Sequence, residues 1–387
     1  MAKILKRTGI GESRLIDIQA YTMIAALVAI WVIFYLLTEG TYLTPRNLAL
    51  LFRQMAVVSI LTMGVLMLII GGHLDLSVGS VMGFTGAIAA ILHVNFGWDP
   101  LASIVVALAT GIIIGVWQGF WVAIKKVPAF IVTLGGMMIF RGALLGITHG
   151  NTIAPLSKEF KVIGQGYLSP SISLTLAVIC IIAVIFLLVN GRRQRIRYGF
   201  KVETPPAFLL KLILYCGLIF TFVLIMNQYE GVPIPVLVVL GLAILLTFIT
   251  TKTQFGRYVY AMGGNQEAAR LSGINTEKIT FILFVVSGLF ASIASIILTA
   301  RLNAATTSAG LGAELDAVAA AVIGGTSLSG GIGSVPRAIV GALVMASLDN
   351  GMSLMNVEVF YQQMLKGLIL ILAVWLDTST KQKSITS

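Results

Sequence analysis

Gly263-Gly264-Asn265-Gln266-Glu267-Ala268-Ala269-Arg270-Leu271-Ser272-Gly273-Ile274 reads as a short helix with its own start and stop. Asn265 suits an N-cap, Glu267 falls in the first turn where the helix dipole favours a carboxylate, and Gly273 suits a left-handed C-cap. The stretch is too polar to lie in lipid, yet long apolar segments flank it. Lys252, Arg257 and Lys278 lie nearby, and basic residues concentrate on the cytoplasmic side of membrane proteins, so the loop of residues 254–278 is expected there. Such a helix is either a plain amphipathic linker or a docking element for another protein.

Composition sets the frame. The chain has 387 residues, of which 58% are hydrophobic and 11% charged, and its mean hydropathy is +0.98. Apolar runs of about 18 or more residues recur, so the chain is read as an all-α polytopic membrane protein embedded in lipid. The net charge of +11 sits in short loops rather than along one face, which marks orientation and argues against nucleic-acid binding. Cys180 and Cys216 both lie in apolar segments, so neither a disulfide framework nor a metal site is indicated.

The first apolar span, from about Ala20 to Leu37, follows Lys3, Lys6, Arg7 and Arg14 and lacks the cleavage pattern of a signal peptide. It is expected to be retained, with residues 1–19 cytoplasmic. Further spans are expected at about 54–71, 77–94, 101–124, 129–148, 171–189, 209–227, 233–250, 279–299, 315–329, 337–355 and 362–377, twelve in all. Residues 20–377 would then form the permeation domain and 378–387 a cytoplasmic tail. This alternation puts the N-terminal cluster, Lys125, Lys126, the basic residues from Arg192 to Lys211, those from Lys252 to Lys278, Arg337, Lys381 and Lys383 on the cytoplasmic side. The opposite side receives only Arg46, Arg53, Lys158, Lys161 and Arg301. Residues 190–230 read as an insertion.

Two stretches resemble each other. Gly72-His73-Leu74-Asp75-Leu76-Ser77-Val78-Gly79-Ser80 opens one; Gly312-Ala313-Glu314-Leu315-Asp316-Ala317-Val318 opens the other, and a Pro-led apolar span follows each, from Pro100 and from Pro336. Opposite span directions make this an inverted internal repeat, the arrangement with which transporters build gates around a central path. Asp75 and Asp316, each at the mouth of a span, either cap helix N-termini or line the path; Ser77 and Glu314 accompany them. Gln118 and Asn350 occupy matching places and either line the path or hydrogen-bond between helices. Arg141 and Lys366, one per half, are expected to snorkel or pair internally. His73, His93 and His149 show no metal-ligand spacing. Leu328-Ser329-Gly330-Gly331 and Gly330-Gly331-Ile332-Gly333 mimic nucleotide-binding signatures, but no phosphate loop or βαβ unit surrounds them, so they read as a Gly-rich turn. No catalytic constellation emerges.

The run Tyr260 to Ile274 resembles the coupling loop of permease subunits of bacterial ABC importers for monosaccharides, the ribose, arabinose and xylose group. Asp75-Leu76-Ser77-Val78-Gly79-Ser80, Lys126-Val127-Pro128-Ala129-Phe130-Ile131-Val132-Thr133-Leu134-Gly135-Gly136, and Glu314-Leu315-Asp316 with Val322 to Leu328 are similar to the family's motifs in the same order. The resemblance extends from about Tyr42 to Asp377. Tyr229-Glu230-Gly231-Val232-Pro233 and Met345 to Ser353 look most like xylose members, as does the extra basic loop of the insertion.

This resemblance implies a non-catalytic, homodimeric permease of the bacterial inner membrane. Its coupling residues would be Gly264, Asn265, Glu267, Ala268, Ala269, Arg270, Ser272 and Gly273, docking on an ATPase subunit that carries ATP and Mg. No cofactor is expected on this chain, and a periplasmic sugar-binding protein would deliver the sugar. D-xylose is the first expectation, with ribose, arabinose or galactose as alternatives. An ion-coupled secondary sugar transporter is the rival class; it needs carboxylates deep in spans, whereas Asp75 and Asp316 read as lying near span ends.

Overall fold

Proline starts most of the long helices, where its fixed φ suits the first turn and its missing N–H costs nothing. In the computed structural model it occupies the first turn of α2 (Pro45–Ile70), α4 (Pro100–Gly119), α7 (Pro170–Arg197), α8 (Pro205–Asn227), α9 (Ile234–Lys252) and α14 (Val335–Leu354). The remaining helices are α1 (Thr8–Leu37), α3 (Val78–Ala90), α5 (Ala129–Thr148), α6 (Lys158–Gln165), α10 (Gln254–Gly264), α11 (Gln266–Leu271), α12 (Thr276–Leu302), α13 (Ala313–Ile323) and α15 (Val359–Thr386). The structure describes residues 8–200 and 202–386, with side chains for residues 22–200 and 202–375. Lys3, Lys6, Arg7 and Lys201 therefore lie outside the described residues, and only the backbone is described at Arg14, Lys381 and Lys383. Among the described residues the only β structure is two isolated bridges, Ile153 with Ala305 and Tyr167 with Pro233.

Each of the twelve expected spans falls on a helix, but they are not equivalent. Among the described residues eight helices are long and apolar enough to cross a membrane; the described apolar parts of α1 and α15 are shorter, and α14, on the span expected at 337–355, has 20 residues but is not among the eight. The span expected at 315–329 is corrected: α13 has 11 residues, about 16 Å at 1.5 Å per residue, against about 30 Å of hydrocarbon. Gly324, Gly325, Gly330 and Gly331 stop it, three of them at positive φ. By contrast the 13 α-helical residues of α3 continue through a wider π turn to Asn95, 18 residues in all, and count among the eight.

The inverted repeat is visible in the contacts. Along α2, Gly64 abuts Phe290 and Gly71 abuts Leu283, so α2 and α12 run antiparallel; along α4, Gly111, Gly115 and Gly119 meet Ser292, Phe284 and Phe281 in turn, so α4 also opposes α12. Asp75 meets Ser287 and Gly86 meets Ser295, so the segment through α3 runs with α12. In the second half, Gly324 and Gly341 of α13 and α14 meet Ala338 and Ala320, which makes that pair antiparallel. Small residues carry these approaches because helices in lipid associate by close packing rather than by hydrophobic exclusion.

The core is centred on α2, which is buried along most of its length between α12, α13 and α14. By contrast α7 and α8 bury two residues each, Ser173 with Ala177 and Val223 with Met226, and form a peripheral antiparallel pair. The face carrying α10 and α11 is called the near face below; α6 lies on the far face, tied down by Arg53, which donates to the Gly164 carbonyl at 3.0 Å, and by Gln165, which donates to the Arg301 carbonyl at 3.0 Å.

Candidate functional site

Two half-helices meet end to end inside the bundle. From Gly72 on the near face, residues 73–77 climb alongside α12: His73 Nε2 is hydrogen-bonded to Thr280 at 3.0 Å, and Asp75 reaches Ser287, almost halfway along α12. Asp75 is therefore deep, not at a span mouth. It does not cap α3 directly, because the N-cap position belongs to Ser77, whose own N–H and hydroxyl donate to Asp75 Oδ1 at 2.8 and 2.6 Å. Ser287 donates to the other oxygen at 3.0 Å, and Gln118 donates to Ser77 at 2.6 Å. So far from water, both oxygens of the Asp75 carboxyl group find hydrogen-bond donors.

The opposing half-helix enters from the far side. Residues 303–312 descend from the Ile153–Ala305 bridge, and Gly310 comes into backbone contact with Gly79, so that a Cβ at either position would overlap the other chain segment. Gly310 has φ +75°, which also favours glycine there. The segment is held by Arg141 of α5, which donates to the carbonyls of Thr307 and Ala309 at 3.2 and 2.9 Å. Glu314, in the first turn of α13, lies against Gly79, and its Oε2 is buried with no hydrogen-bond partner among the described residues. Thus Asp75, Ser77, Gln118 and Glu314 come together where α3 and α13 face each other. The backbones of Gly79 and Gly310 are in contact at that point.

Asp316 and Asn350 lie elsewhere. Asp316, in the same first turn as Glu314, pairs with Lys366 of α15 at 2.9 Å, and Lys366 also reaches Asp349 at 2.8 Å. Lys366 and Arg141 thus pair internally. Asn350 exchanges two hydrogen bonds with Asn47 of α2, at 2.8 and 3.1 Å, so it joins helices rather than matching the surroundings of Gln118. Asp349 was not singled out from the sequence, although a carboxylate directly before Asn350 and a lone lysine, Lys366, in the following span offered a signal.

On the near face, Asn265 caps α11 by accepting from the Ala268 N–H at 2.9 Å, Glu267 in its first turn pairs with Arg270 at 2.8 Å, and Gly273 turns with φ +84°. That pairing holds the exposed Arg270 guanidinium above its usual pKa. Gly264, Asn265, Glu267, Ala268, Arg270, Ser272 and Gly273 are exposed, but Ala269 turns inward and is buried in the core. Leu271, 78% exposed at the tip of a polar loop, is an apolar knob missed from the sequence. The loop is not merely tethered at its ends. Gly263 sits against the Ile70 carbonyl, which accepts from Gly331 N at 2.9 Å, and Tyr260 donates to the Gly333 carbonyl at 2.8 Å. The helix pair therefore touches the end of α2 and the turn after α13 at once.

A family model described as "Branched-chain amino acid transport system / permease component" matches residues 47–161 and 165–374. The chain belongs to this permease family. Among its relatives, the xylose transport system permease protein XylH of Escherichia coli K12 is 46% identical over 97% of the chain and 96% of its own length. XylH of Haemophilus influenzae is 46% identical over 95% and 98%, and the ribose import permease protein RbsC of Bacillus subtilis is 31% identical over 90% and 89%. No solved structure matches. The family assignment and the eight apolar helices make the permease a multi-pass membrane component of a transport system.

Proposed function

We propose that this permease is the transmembrane subunit of an ATP-driven ABC importer that moves a pentose, D-xylose foremost, across the bacterial inner membrane by alternating access. What carries the sugar reading is identity: 46% to xylose permease proteins over nearly the whole chain, against 31% and 34% to ribose permeases. The near face is then cytoplasmic, with residues 1–19 and 378–387 on that side, residues 190–230 as an insertion at the periphery, and residues 254–278 as the coupling loop. A separate ATPase subunit carrying ATP and Mg docks on Gly264, Asn265, Glu267, Ala268, Arg270, Ser272 and Gly273, with Ala269 seating the helix from below. The permease works as a homodimer supplied by a periplasmic sugar-binding protein.

The contact of Gly263 with Ile70 and Gly331 supports a direct mechanical link from the loop to both halves of the repeat. Movement there shifts the ends of α2 and α13, and the Gly79–Gly310 contact opens or closes in response. Asp75, Ser77, Gln118 and Glu314 border that gate; Asp316 acts on it from α13 through its pair with Lys366, and Asn350 from α14. The test is reconstitution with the partner ATPase, measuring ATP hydrolysis with a xylose-loaded binding protein for the parent and for Glu267→Arg. Stimulation by the parent and its loss in the variant is expected. A parent that neither binds the ATPase nor alters hydrolysis sinks the proposal.

A further inference from the structure

The end of α7 and the start of α8 combine three features that the transport reading leaves unused. The first is charge: Arg192, Arg193, Arg195, Arg197 and Lys211 gather on the near face against one carboxylate, Glu203, which Lys211 already engages at 2.9 Å. Arg192 is spent over the Phe208 ring, 4.6 Å from its centroid, while Arg193, Arg195 and Arg197 make no ion pair among the described residues. The second is shape. Ile182, Ile185, Phe186, Val189, Asn190 and Arg193 line a shallow furrow of about 340 Å³ along one stripe of α7. Ile182 to Arg193 spans about 16 Å of helix, close to the roughly 15 Å depth of one leaflet, and the stripe runs from apolar side chains to a guanidinium. The third is setting: Ile182, Phe186, Asn190 and Arg193 of this stripe are exposed among the described residues, and Tyr198 and Phe200 stand exposed at its basic end, as aromatic side chains do at headgroup level.

We infer that this hairpin end is a binding site for an anionic phospholipid, with the headgroup phosphate on Arg193 and Arg197, one turn apart on the same face of α7, and one acyl chain in the furrow. Guanidinium groups suit the headgroup because they pair with phosphate oxygens in bidentate fashion and shed water more readily than ammonium. A zwitterionic lipid satisfies the furrow equally well but leaves the surplus positive charge unopposed, so selectivity rests on the headgroup and depth of binding on the chain.

The full-length permease, delipidated in detergent, is titrated with dioleoyl phosphatidylglycerol or dioleoyl phosphatidylcholine and read by native mass spectrometry. The first phosphatidylglycerol is expected to bind more tightly than phosphatidylcholine. Arg193→Gln and Arg197→Gln each weaken phosphatidylglycerol about fivefold without changing phosphatidylcholine. Lys252→Gln, a cation on the same face outside the hairpin, leaves both unchanged. Dihexanoyl phosphatidylglycerol and inorganic phosphate compete poorly. Equal affinity for the two dioleoyl lipids overturns the inference, as does undiminished phosphatidylglycerol binding in the arginine variants or an equal loss in Lys252→Gln. Displacement by inorganic phosphate alone reduces the site to a free-anion site and overturns the lipid assignment.

Discussion

Gly263 and Gly264 are adjacent, both near the end of α10, and are expected to respond oppositely to alanine. A Cβ at Gly263 would overlap the Ile70 carbonyl and stand 2.6 Å from Gly331 N, whereas ordinary contact begins near 3.4 Å; at Gly264 nothing lies within 4 Å. Relieving the Gly331 clash alone needs a shift of about 0.8 Å. If α10 pushes the 330–331 turn away by that much, the Gly331-to-Ile70 hydrogen bond, now 2.9 Å, stretches beyond useful length. Overpacking of this kind costs about 1–3 kcal/mol and the lost bond about 1 kcal/mol, so Gly263→Ala is expected to destabilise the near-face junction by about 2–4 kcal/mol. Gly264→Ala is expected to be near neutral. Thermal unfolding in detergent measures the stability difference, and ATPase stimulation in the reconstituted complex measures coupling, which falls with Gly263→Ala. Equal unfolding temperatures for the two variants would refute the seating of α10 on α2.

Lys366→Met strands two carboxylates, Asp316 and Asp349, in a largely buried site, and is expected to cost about 3–5 kcal/mol; the triple variant with Asp316→Asn and Asp349→Asn recovers most of it, as judged by unfolding in detergent. A double-mutant cycle of Asn47→Ala and Asn350→Ala is expected to give a coupling energy of about 0.6–1.7 kcal/mol; additive losses would show that the pair does not join α2 to α14. Glu159, in the first turn of α6, has its carboxyl held below the usual range by its own backbone N–H and by Ser157. Its contribution is present above the ordinary carboxylate pKa and is lost as pH falls through the lowered value. Hydrogen exchange of the α6 amides is therefore expected to quicken on acidification in the parent and to be flatter with pH in Glu159→Gln.

The short polar helix of residues 265–273 was legible because its signals are local. Asn265, Glu267 and Gly273 act within one turn of chain, and the structure shows the cap, the first-turn charge and the positive-φ turn at those positions. The repeat was legible because both Gly-rich openings are followed by Pro-led helices. The depth of Asp75 was not legible, since it depends on an extended climb beside α12 that leaves no periodicity behind. Ala269 illustrates a second limit: six helical residues do not reveal which side meets the body. Asn350 illustrates a third, because its register matched Gln118 while its partner, Asn47, comes from a helix outside the compared segments.

By itself, the sequence determined that this protein is a helical membrane permease with inverted halves and a short, capped polar helix between apolar spans. Hydropathy, charge placement and capping residues are properties of short windows, and each acts whatever the rest of the chain does. Tertiary structure alone decided that 315–329 is a half-helix, that Gly79 and Gly310 close against each other, that Lys366 bridges two carboxylates and that Gly263 seats α10 on both halves. Those outcomes depend on which atoms meet from distant segments, and in lipid, where apolar burial discriminates little between partners, close packing of small residues and a few polar pairs make that choice.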